Sequence, residues 1–220
     1  GLAYKCNGTV YMNHSQDIIA DMDSIPFYDY SLFEDQIFYR PYNGNVVKAV
    51  DYELSRGCPY TCTYCVETVI QKYYGFNKII GNGVLRNAKK YLRNKSAKRI
   101  FEEMKFLYNN FGIEYFRCQD TNFLTINLNT LKSLSRLMES NNLPTKLYIE
   151  TRPETVRQSV IQMMKSLNID GVGMGIELAS EDFRKTSLNR YPSQSKIINA
   201  FKLLKEEGIK RTAYNIIGLP

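Results

Sequence analysis

Three cysteines that lie close together are the residues of this sequence best suited to bind a metal. Cys58, Cys62 and Cys65 are spaced as C-x3-C-x2-C. The chain has five cysteines, and an odd number with this clustering argues against a disulfide framework. A structural zinc site needs four ligands, usually in two separated pairs, whereas here the triplet is accompanied only by the distant His14. The spacing therefore disfavours zinc.

A short loop with three thiolates can bind three irons of a four-iron, four-sulfur cluster. A closed cluster takes four cysteine ligands, and the only cysteine downstream of the triplet is Cys118, which we interpret as a small core residue. The fourth iron would then lack a protein ligand, the arrangement that makes a metal site catalytic rather than structural. We therefore predict a [4Fe-4S] cluster held by Cys58, Cys62 and Cys65.

The elements around the triplet are predicted to be those of a parallel α/β protein. A β-branched, apolar stretch ends just before Cys58, and beyond the triplet buried strands alternate with amphipathic helices. Ser96 is a predicted helix N-cap, and Gly112 and Gly208 are predicted to end helices. Four helical crossovers would then connect five parallel strands. The predicted strands are 46–54, 113–118, 146–151, 171–178 and 211–217, and the predicted helices are 96–109, 127–140, 154–167 and 193–207.

The cysteine motif resembles the signature of a known enzyme family. Its spacing, with the aromatic Tyr64 directly before Cys65, is similar to that of radical S-adenosylmethionine (radical SAM) enzymes. The resemblance implies an α/β fold, a partial (β/α)6 TIM-like radical SAM barrel over residues 46–220, truncated after about the fifth strand. It implies two cofactors, a [4Fe-4S] cluster and S-adenosylmethionine, whose amino and carboxylate groups chelate the unique iron. One electron from a reductant such as flavodoxin or ferredoxin would cleave the sulfonium and form a 5′-deoxyadenosyl radical.

Polar residues at the ends of the other predicted strands add to the resemblance, because parallel barrels place their sites at the carboxyl ends of strands. By resemblance, Asp120 accepts the amino group of S-adenosylmethionine, Glu177 contacts its ribose, and Arg190 binds its carboxylate, a role suited to a guanidinium. Asn215 precedes a Gly-x-Pro turn like the one beside the adenine in the family. No catalytic residue is assigned. The predicted cofactor-binding residues are Tyr64, Asp120, Asn122, Glu150, Glu177, Arg190 and Asn215.

Several polar residues near these strand ends have a simpler interpretation. Glu150 and Arg152, in a Glu-Thr-Arg-Pro segment, either take part in the site or pair with each other. Arg184 and Lys185 are predicted to be solvated helix residues. Glu177 lies in a glycine-rich apolar strand, where an unpaired buried carboxylate would be costly, so a functional role is favoured there.

Residues 1–45 show no sustained helical or strand period and are predicted to be a linker lying on the barrel. The segment 23–30, DSIPFYDY, resembles the linker that joins a cobalamin-binding domain to a radical SAM barrel. The resemblance implies an upstream cobalamin-binding domain outside this chain, with cobalamin as a further cofactor. The reaction would then be methyl transfer, or a related modification, of a small molecule or another substrate.

The basic character of the chain leaves two alternatives open. The net charge is +7, and seven basic residues with no acid among them lie between Arg86 and Arg99. Such a segment is either a solvated face or a contact surface for nucleic acid. The alternatives are a cobalamin-free radical SAM enzyme that modifies nucleic acid, and a non-catalytic iron-sulfur electron carrier. A carrier needs no contacts to an amino acid and a ribose, so the strand-end residues argue against it.

The composition predicts a soluble, cytoplasmic protein with no membrane partner. Hydrophobic residues make up 44% of the chain, enough to build a core. No stretch approaches the roughly 18 consecutive apolar residues of a membrane helix, and the first residues lack the features of a signal peptide.

Overall fold

The computed structural model describes residues 1–219 and consists of helices arranged around a curled β-sheet. Within these residues the helices are α1 (Val66–Tyr73), α2 (Ala88–Tyr91), α3 (Ala97–Phe111), α4 (Leu128–Ser140), α5 (Gln158–Ser166), α6 (Glu181–Thr186) and α7 (Gln194–Glu206). The strands are β1 (Ala3–Cys6), β2 (Thr9–Met12), β3 (Tyr39–Tyr42), β4 (Asn45–Tyr52), β5 (Ser55–Arg56), β6 (Ile79–Ile80), β7 (Val84–Leu85), β8 (Arg93–Asn94), β9 (Tyr115–Cys118), β10 (Lys146–Thr151), β11 (Ile169–Glu177) and β12 (Lys210–Asn215).

The central sheet has six strands in the order β12-β11-β10-β9-β4-β3. Five of them are parallel, and β3 pairs antiparallel with β4 at one edge. Helical segments connect each parallel strand to the next, and the sheet curls into a half barrel. The predicted α/β fold, a partial barrel with five parallel strands and four crossovers, is therefore confirmed.

The outer face of the sheet carries the hydrophobic core. Phe116 of β9, Ile149 of β10 and Met174 of β11 are completely buried there. They pack in one cluster with apolar side chains of α3, α4 and α5. Cys118 lies in the same cluster and is also fully buried, which confirms its interpretation as a small core residue.

The inner face of the sheet is different in composition. Successive side chains of a strand point to opposite faces, so the residues between the core positions face the lumen of the half barrel. They are mainly tyrosines, charged residues and glycines. A closed barrel fills its interior with bulky branched side chains, whereas this half barrel keeps space in its lumen. Examples of these lumen residues are Arg117, Tyr148, Glu150, Gly173 and Tyr214.

Helix boundaries lie close to the predicted ones with one exception. The hydroxyls of Ser96 and Ser193 each accept a hydrogen bond from the backbone N–H three residues further on, as N-caps do. Gly112 ends α3 with a left-handed φ of +66°. The helix predicted from residue 154 instead begins at Gln158, because a 3-10 turn occupies Pro153–Thr155.

The segment 1–45 contains strands that its sequence pattern did not predict. The pairs β1-β2 and β3-β4 are hairpins whose Asn-Gly turns have positive φ, and Asn43 and Gly44 show values of +50° and +78°. Met22 and Phe38 are buried, and Phe38 packs in the hydrophobic core cluster.

The basic segment from Arg86 to Arg99 is not uniformly solvated, and that part of the prediction is wrong. Lys95 is only 2% exposed, and its Nζ lies 2.6 Å from Glu103 Oε2. Arg99 binds the other oxygen of the same carboxylate at 2.6 Å. Lys95 and Arg99 are therefore used within the fold. Among residues 1–219, no helix has the length and apolar character of a membrane span.

Candidate active site

The cysteine loop, residues 58–65, connects β5 to α1 at the carboxyl end of the sheet. Gly57, just before it, has a φ of +94°, and a Cβ at this position would lie 2.6 Å from the carbonyl oxygen of Tyr91. Only glycine fits such a backbone this close to another. The glycine between Arg56 and Cys58 therefore allows the backbone turn by which the cysteine loop leaves β5.

Side chains from elsewhere in the chain hold the cysteine loop in place. Gln71 of α1 is buried, and its Nε2 donates to the carbonyl oxygens of Cys58 at 2.8 Å and Tyr60 at 2.9 Å. The Nδ2 of Asn189 donates to the carbonyl oxygen of Thr61 at 2.8 Å. An irregular loop leaves such carbonyls without secondary-structure partners, so these donors stabilise its conformation.

The three thiols differ in exposure. Cys58 and Cys62 are buried, and Cys65 is partly exposed. Burial raises the pKa of Cys58 to about 12 and also raises the pKa of Cys65. In the part of the chain that the structure describes, no group of three His, Cys, Asp or Glu side chains is arranged around a single metal ion. A cluster makes a different demand, because each thiolate binds a different iron.

Arg152, at the end of β10, places a buried guanidinium against the cysteine loop. Its Nη1 lies 3.1 Å from Cys62 Sγ, and its Nε donates to Glu154 Oε1 at 2.5 Å. The guanidinium stacks 3.8 Å from the ring centroid of Tyr60. A cation that donates to sulfur favours the thiolate form, and hydrogen bonds to cluster sulfurs influence the reduction potential. This donor set fits a [4Fe-4S] cluster.

Tyr64, Glu177 and Arg190 form a hydrogen-bonded group beside the cysteines. The Tyr64 hydroxyl donates to Glu177 Oε1 at 2.8 Å, and Arg190 Nη1 lies 3.3 Å from the same oxygen. Burial raises the pKa of Tyr64, so its phenol keeps the proton that it donates. Arg190 also donates from Nη2 to the carbonyl oxygen of Gly175 at 2.5 Å. Its buried Nε has no partner within residues 1–219, which fits an anionic ligand.

The backbone at Glu177 is strained. Its φ is +65°, in the left-handed region that favours glycine, and the register of β11 against β12 shifts between Gly175 and Glu177. A bulge of this kind redirects a side chain at the end of a strand. The strain is a cost that functional sites commonly carry. It supports the functional role that the sequence favours for this carboxylate.

A cavity of about 240 Å³, the site cavity, lies between the cysteine loop and the ends of three strands. Glycines keep it open, because a Cβ at Gly173 would lie 2.5 Å from a ring carbon of Tyr214. The site cavity is lined by Cys58, Cys62, Tyr64, Cys65, Thr121, Glu150, Thr151, Arg152, Gly173, Gly175, Glu177, Arg190 and Tyr214.

Of the residues predicted from the sequence, the structure brings the three cysteines, Tyr64, Glu150, Glu177 and Arg190 to this cavity. It places three others elsewhere. The Asp120 carboxylate is 1% exposed and accepts hydrogen bonds from the N–H groups of Leu54 and Ser55. Burial raises the pKa of Asp120 to about 6. Asn122 is buried and accepts from the Thr151 hydroxyl, and Asn215 is an exposed residue of β12 outside the cavity lining.

Two further expectations from the sequence are resolved by the side-chain contacts. Glu150 and Arg152 do not pair with each other, because Arg152 binds Glu154 and Glu150 accepts from the Tyr214 hydroxyl at 3.3 Å.

Arg184 is not solvated, and that prediction is wrong. It is completely buried, and its Nη1 donates to the carbonyl oxygens of residues 178 and 179.

Sequence reasoning missed three residues that line the site cavity with potential function, and it left open whether Arg152 takes part: the three are Thr121, Thr151 and Tyr214. Thr121, Thr151 and Arg152 lie at the carboxyl ends of strands or directly after them, and this position is the signal that could have identified them. For Arg152, nothing in the local sequence shows that its partner is Cys62, because the two are 90 positions apart.

A family model described as the radical SAM superfamily matches residues 52–220. The chain therefore belongs to the radical SAM superfamily, and its fold is that of an enzyme domain of this class.

Relatives and solved structures show what the chain resembles. It is 28% identical over its full length to an uncharacterized methyltransferase of Pyrococcus horikoshii, covering 43% of that protein. It is 24% identical over its full length to an anaerobic magnesium-protoporphyrin IX monomethyl ester cyclase of Cereibacter sphaeroides, covering 33% of it. The radical S-adenosylmethionine methyltransferase TsrM from Kitasatospora setae, solved with cobalamin and a [4Fe-4S] cluster bound, shares the fold. The TM-score is 0.62 with 18% identity, over 79% of this chain and 32% of TsrM. The chain spans less than half of the length of each of these proteins.

Proposed function

We propose that this chain is the barrel of a radical SAM enzyme whose three clustered cysteines hold a [4Fe-4S] cluster. When bound, the cluster supplies the electron that cleaves S-adenosylmethionine to a 5′-deoxyadenosyl radical. The observation that carries the proposal is a single cavity lined both by the three thiols and by Tyr64, Glu177 and Arg190. An electron carrier would need the thiols but not this second group.

Each residue of the second group has a role that its contacts support. Arg190 has an unpartnered, buried Nε and binds the carboxylate of S-adenosylmethionine, because a guanidinium pairs well with a carboxylate. Glu177 accepts hydrogen bonds from the ribose hydroxyls. Tyr64 donates to Glu177 and holds its carboxylate in position. The charge of Arg152 stabilises the thiolate form of Cys62.

We further propose that the enzyme uses cobalamin, bound by a domain outside residues 1–220, for methyl transfer or a related modification. The support comes from the methyltransferase name of the Pyrococcus relative and from the cobalamin in the TsrM structure. The cyclase name of the Cereibacter relative is the reason to include related modifications. A cytoplasmic location suits oxidisable thiolates, and a reductant such as flavodoxin or ferredoxin would supply the electron.

The nucleic-acid alternative has less support than the basic segment suggested. Lys95 and Arg99 both bind Glu103 and are not available to phosphates. The relatives described above are not named as enzymes of nucleic acid modification. We therefore favour a small-molecule substrate.

The test is to incubate the native polypeptide that contains this chain with dithionite and S-adenosylmethionine, without oxygen, and to separate the nucleoside products by chromatography. We expect 5′-deoxyadenosine. S-adenosylhomocysteine that appears beside it and depends on added cobalamin would identify methyl transfer. The Cys62→Ala variant should form neither product, whereas replacement of the exposed Cys6 by serine should change nothing. A reduced, fully loaded cluster that binds no S-adenosylmethionine and forms neither product would overturn the proposal in favour of a carrier.

A further inference from the structure

A second and larger cavity lies in the lumen of the half barrel. This lumen cavity has a volume of about 570 Å³. Ligand pockets for small organic molecules typically measure about 300 to 1,000 Å³, so a small molecule fits here. Tyr214 lines both this cavity and the site cavity, and the two are therefore neighbours. The lumen cavity is lined by residues that include Tyr42, Tyr115, Arg117, Tyr148, Lys210 and Tyr214.

Four tyrosines contribute aromatic rings to the walls of the lumen cavity. The ring centroids of Tyr42 and Tyr115 are 4.9 Å apart, and those of Tyr42 and Tyr148 are 5.9 Å apart. Glycines of β11 make room for these rings, because a Cβ at Gly171 would lie 2.8 Å from a ring carbon of Tyr148. Aromatic walls favour a ligand with a flat, apolar body.

The carboxylates of the lumen already have hydrogen-bond donors. Each accepts from at least one side chain of the inner face, so a ligand is not required to complete their hydrogen bonding. The donor groups are Lys210 and Tyr115 for Asp170, Gln119 and Arg40 for Asp51, and Tyr214 for Glu150.

Arg117, on β9, differs from these carboxylates in its hydrogen bonding. Its nearest carboxylate oxygens belong to Asp51, 3.9 Å away, and Glu150, 4.0 Å away, and both distances exceed hydrogen-bond length. The side chain is 52% exposed, and its guanidinium donates to no side chain or backbone group within residues 1–219. A guanidinium offers five N–H donors in a planar fork that matches a carboxylate or a phosphate. Its donors remain available to a ligand.

We propose that the lumen cavity binds the substrate, a small molecule with a carboxylate or phosphate group on a flat, apolar body, and that Arg117 binds the anionic group. The assignment as a substrate rests on the proposed function, because the adjoining site cavity is where the reaction would take place. Glu150 connects the two places, since it lines the site cavity and lies 4.0 Å from Arg117. Arg117 therefore lies next to a residue of the site cavity.

The test compares three probes that differ in charge but share a benzene ring. Binding of benzoate, phenyl phosphate and benzamide to the cluster-loaded native protein is measured by saturation-transfer NMR titration. Loss of a charge-assisted contact weakens binding by about 10- to 100-fold. We therefore expect benzoate or phenyl phosphate to bind at least about 10-fold more tightly than benzamide. The tighter of the two anions identifies the group as a carboxylate or a phosphate.

Two variants test whether the preference for an anionic probe depends on Arg117. Arg117→Gln should remove it, and Arg117→Lys should retain part of it because the charge remains but the fork is lost. Arg136→Gln is the matched control, since Arg136 is exposed on the outer helix α4. It should bind all three probes like the wild type.

The inference is overturned if benzamide binds the wild-type protein as tightly as both anions, a result that needs no variant to fold. It is also overturned if the preference for an anion persists in Arg117→Gln. Formation of 5′-deoxyadenosine by the same wild-type preparation tests the proposed function separately. Anion binding without this product would reject the proposed function, whereas the product without anion preference would reject only the role of the lumen cavity.

Discussion

The two faces of the central sheet are built from the same strands but have opposite properties. Ile149 faces the helices and is completely buried in the apolar core. Its neighbour Glu150 faces the site cavity, and its side chain is 34% exposed. One position along a strand thus separates a residue that stabilises the fold from one available to a ligand. The comparison teaches that the helix-facing side carries stability, whereas the lumen and the strand ends carry the chemistry.

Replacing cysteines should give the largest difference between the two faces, measured as the iron content of the protein. The reconstituted protein should contain about four irons and four sulfides. Replacing Cys62 by alanine should remove most of both, because the cluster needs all three cysteine ligands. Cys118→Ala, on the helix-facing side, should keep the iron and instead lower the free energy of unfolding. Iron and labile-sulfide analysis of both variants checks this. Full iron content in Cys62→Ala, or its loss in Cys118→Ala, would contradict the assignment of the ligands.

Adjacent residues of β10 provide the next test, on stability. Ile149→Ala should lower the free energy of unfolding by about 2–5 kcal/mol, because it leaves a cavity in the core. Glu150→Ala should cost less than about 1 kcal/mol, since its contacts are long and partly solvated. Urea denaturation of the two variants measures the difference. Similar losses at the two positions would show that the lumen face contributes to stability as much as the core does.

Much of the fold could be predicted because it depends on local patterns. The bounds of β10 are the predicted 146–151, Ser96 is the N-cap of α3 as predicted, and α7 follows Ser193, where the predicted helix begins. The β3-β4 hairpin was missed although Asn43-Gly44 is a strong hairpin signal. The strand β3 has only four residues, and its mostly exposed side chains give no burial pattern.

The parts of the site that could not be predicted depend on contacts between distant residues. Thr121 lines the cavity and Asp120 does not, because the Asp120 carboxylate is used by the backbone of Leu54 and Ser55. Strand periodicity ends at the turn and cannot say which of two neighbouring side chains faces the site. The burial of Arg184 also depends on contacts outside its own helix. Its guanidinium donates hydrogen bonds to the carbonyl oxygens of Leu178 and Ala179, which precede that helix.

Arg190 tests the strand-end group with a smaller effect than loss of the cluster. Arg190→Ala should weaken binding of S-adenosylmethionine by roughly 10- to 1,000-fold, because a charge-assisted contact is lost. The cluster should remain, since Arg190 is not a ligand. Calorimetry on the reconstituted protein gives the affinity, with the exposed Lys185→Ala as control. Unchanged affinity in Arg190→Ala would refute its role as the carboxylate-binding residue.

Arg152 should give the smallest effect. Replacing it by glutamine removes a positive charge near Cys62 Sγ, and the midpoint potential of the cluster should fall by tens of millivolts. A redox titration followed by electron paramagnetic resonance measures the shift. Arg157→Gln, at an exposed arginine close in sequence, is the matched control. A potential equal to that of the wild type would leave Arg152 with a structural role only.

The central claim is that three cysteines hold a cluster with one iron open to S-adenosylmethionine. Mössbauer spectroscopy of protein reconstituted with iron-57 tests it most directly, because the four irons can be compared before and after the addition of S-adenosylmethionine. The account predicts that one iron site changes its isomer shift while the other three do not, and that Arg190→Ala weakens this response. Spectra in which all irons are equivalent and unaffected by S-adenosylmethionine would contradict it.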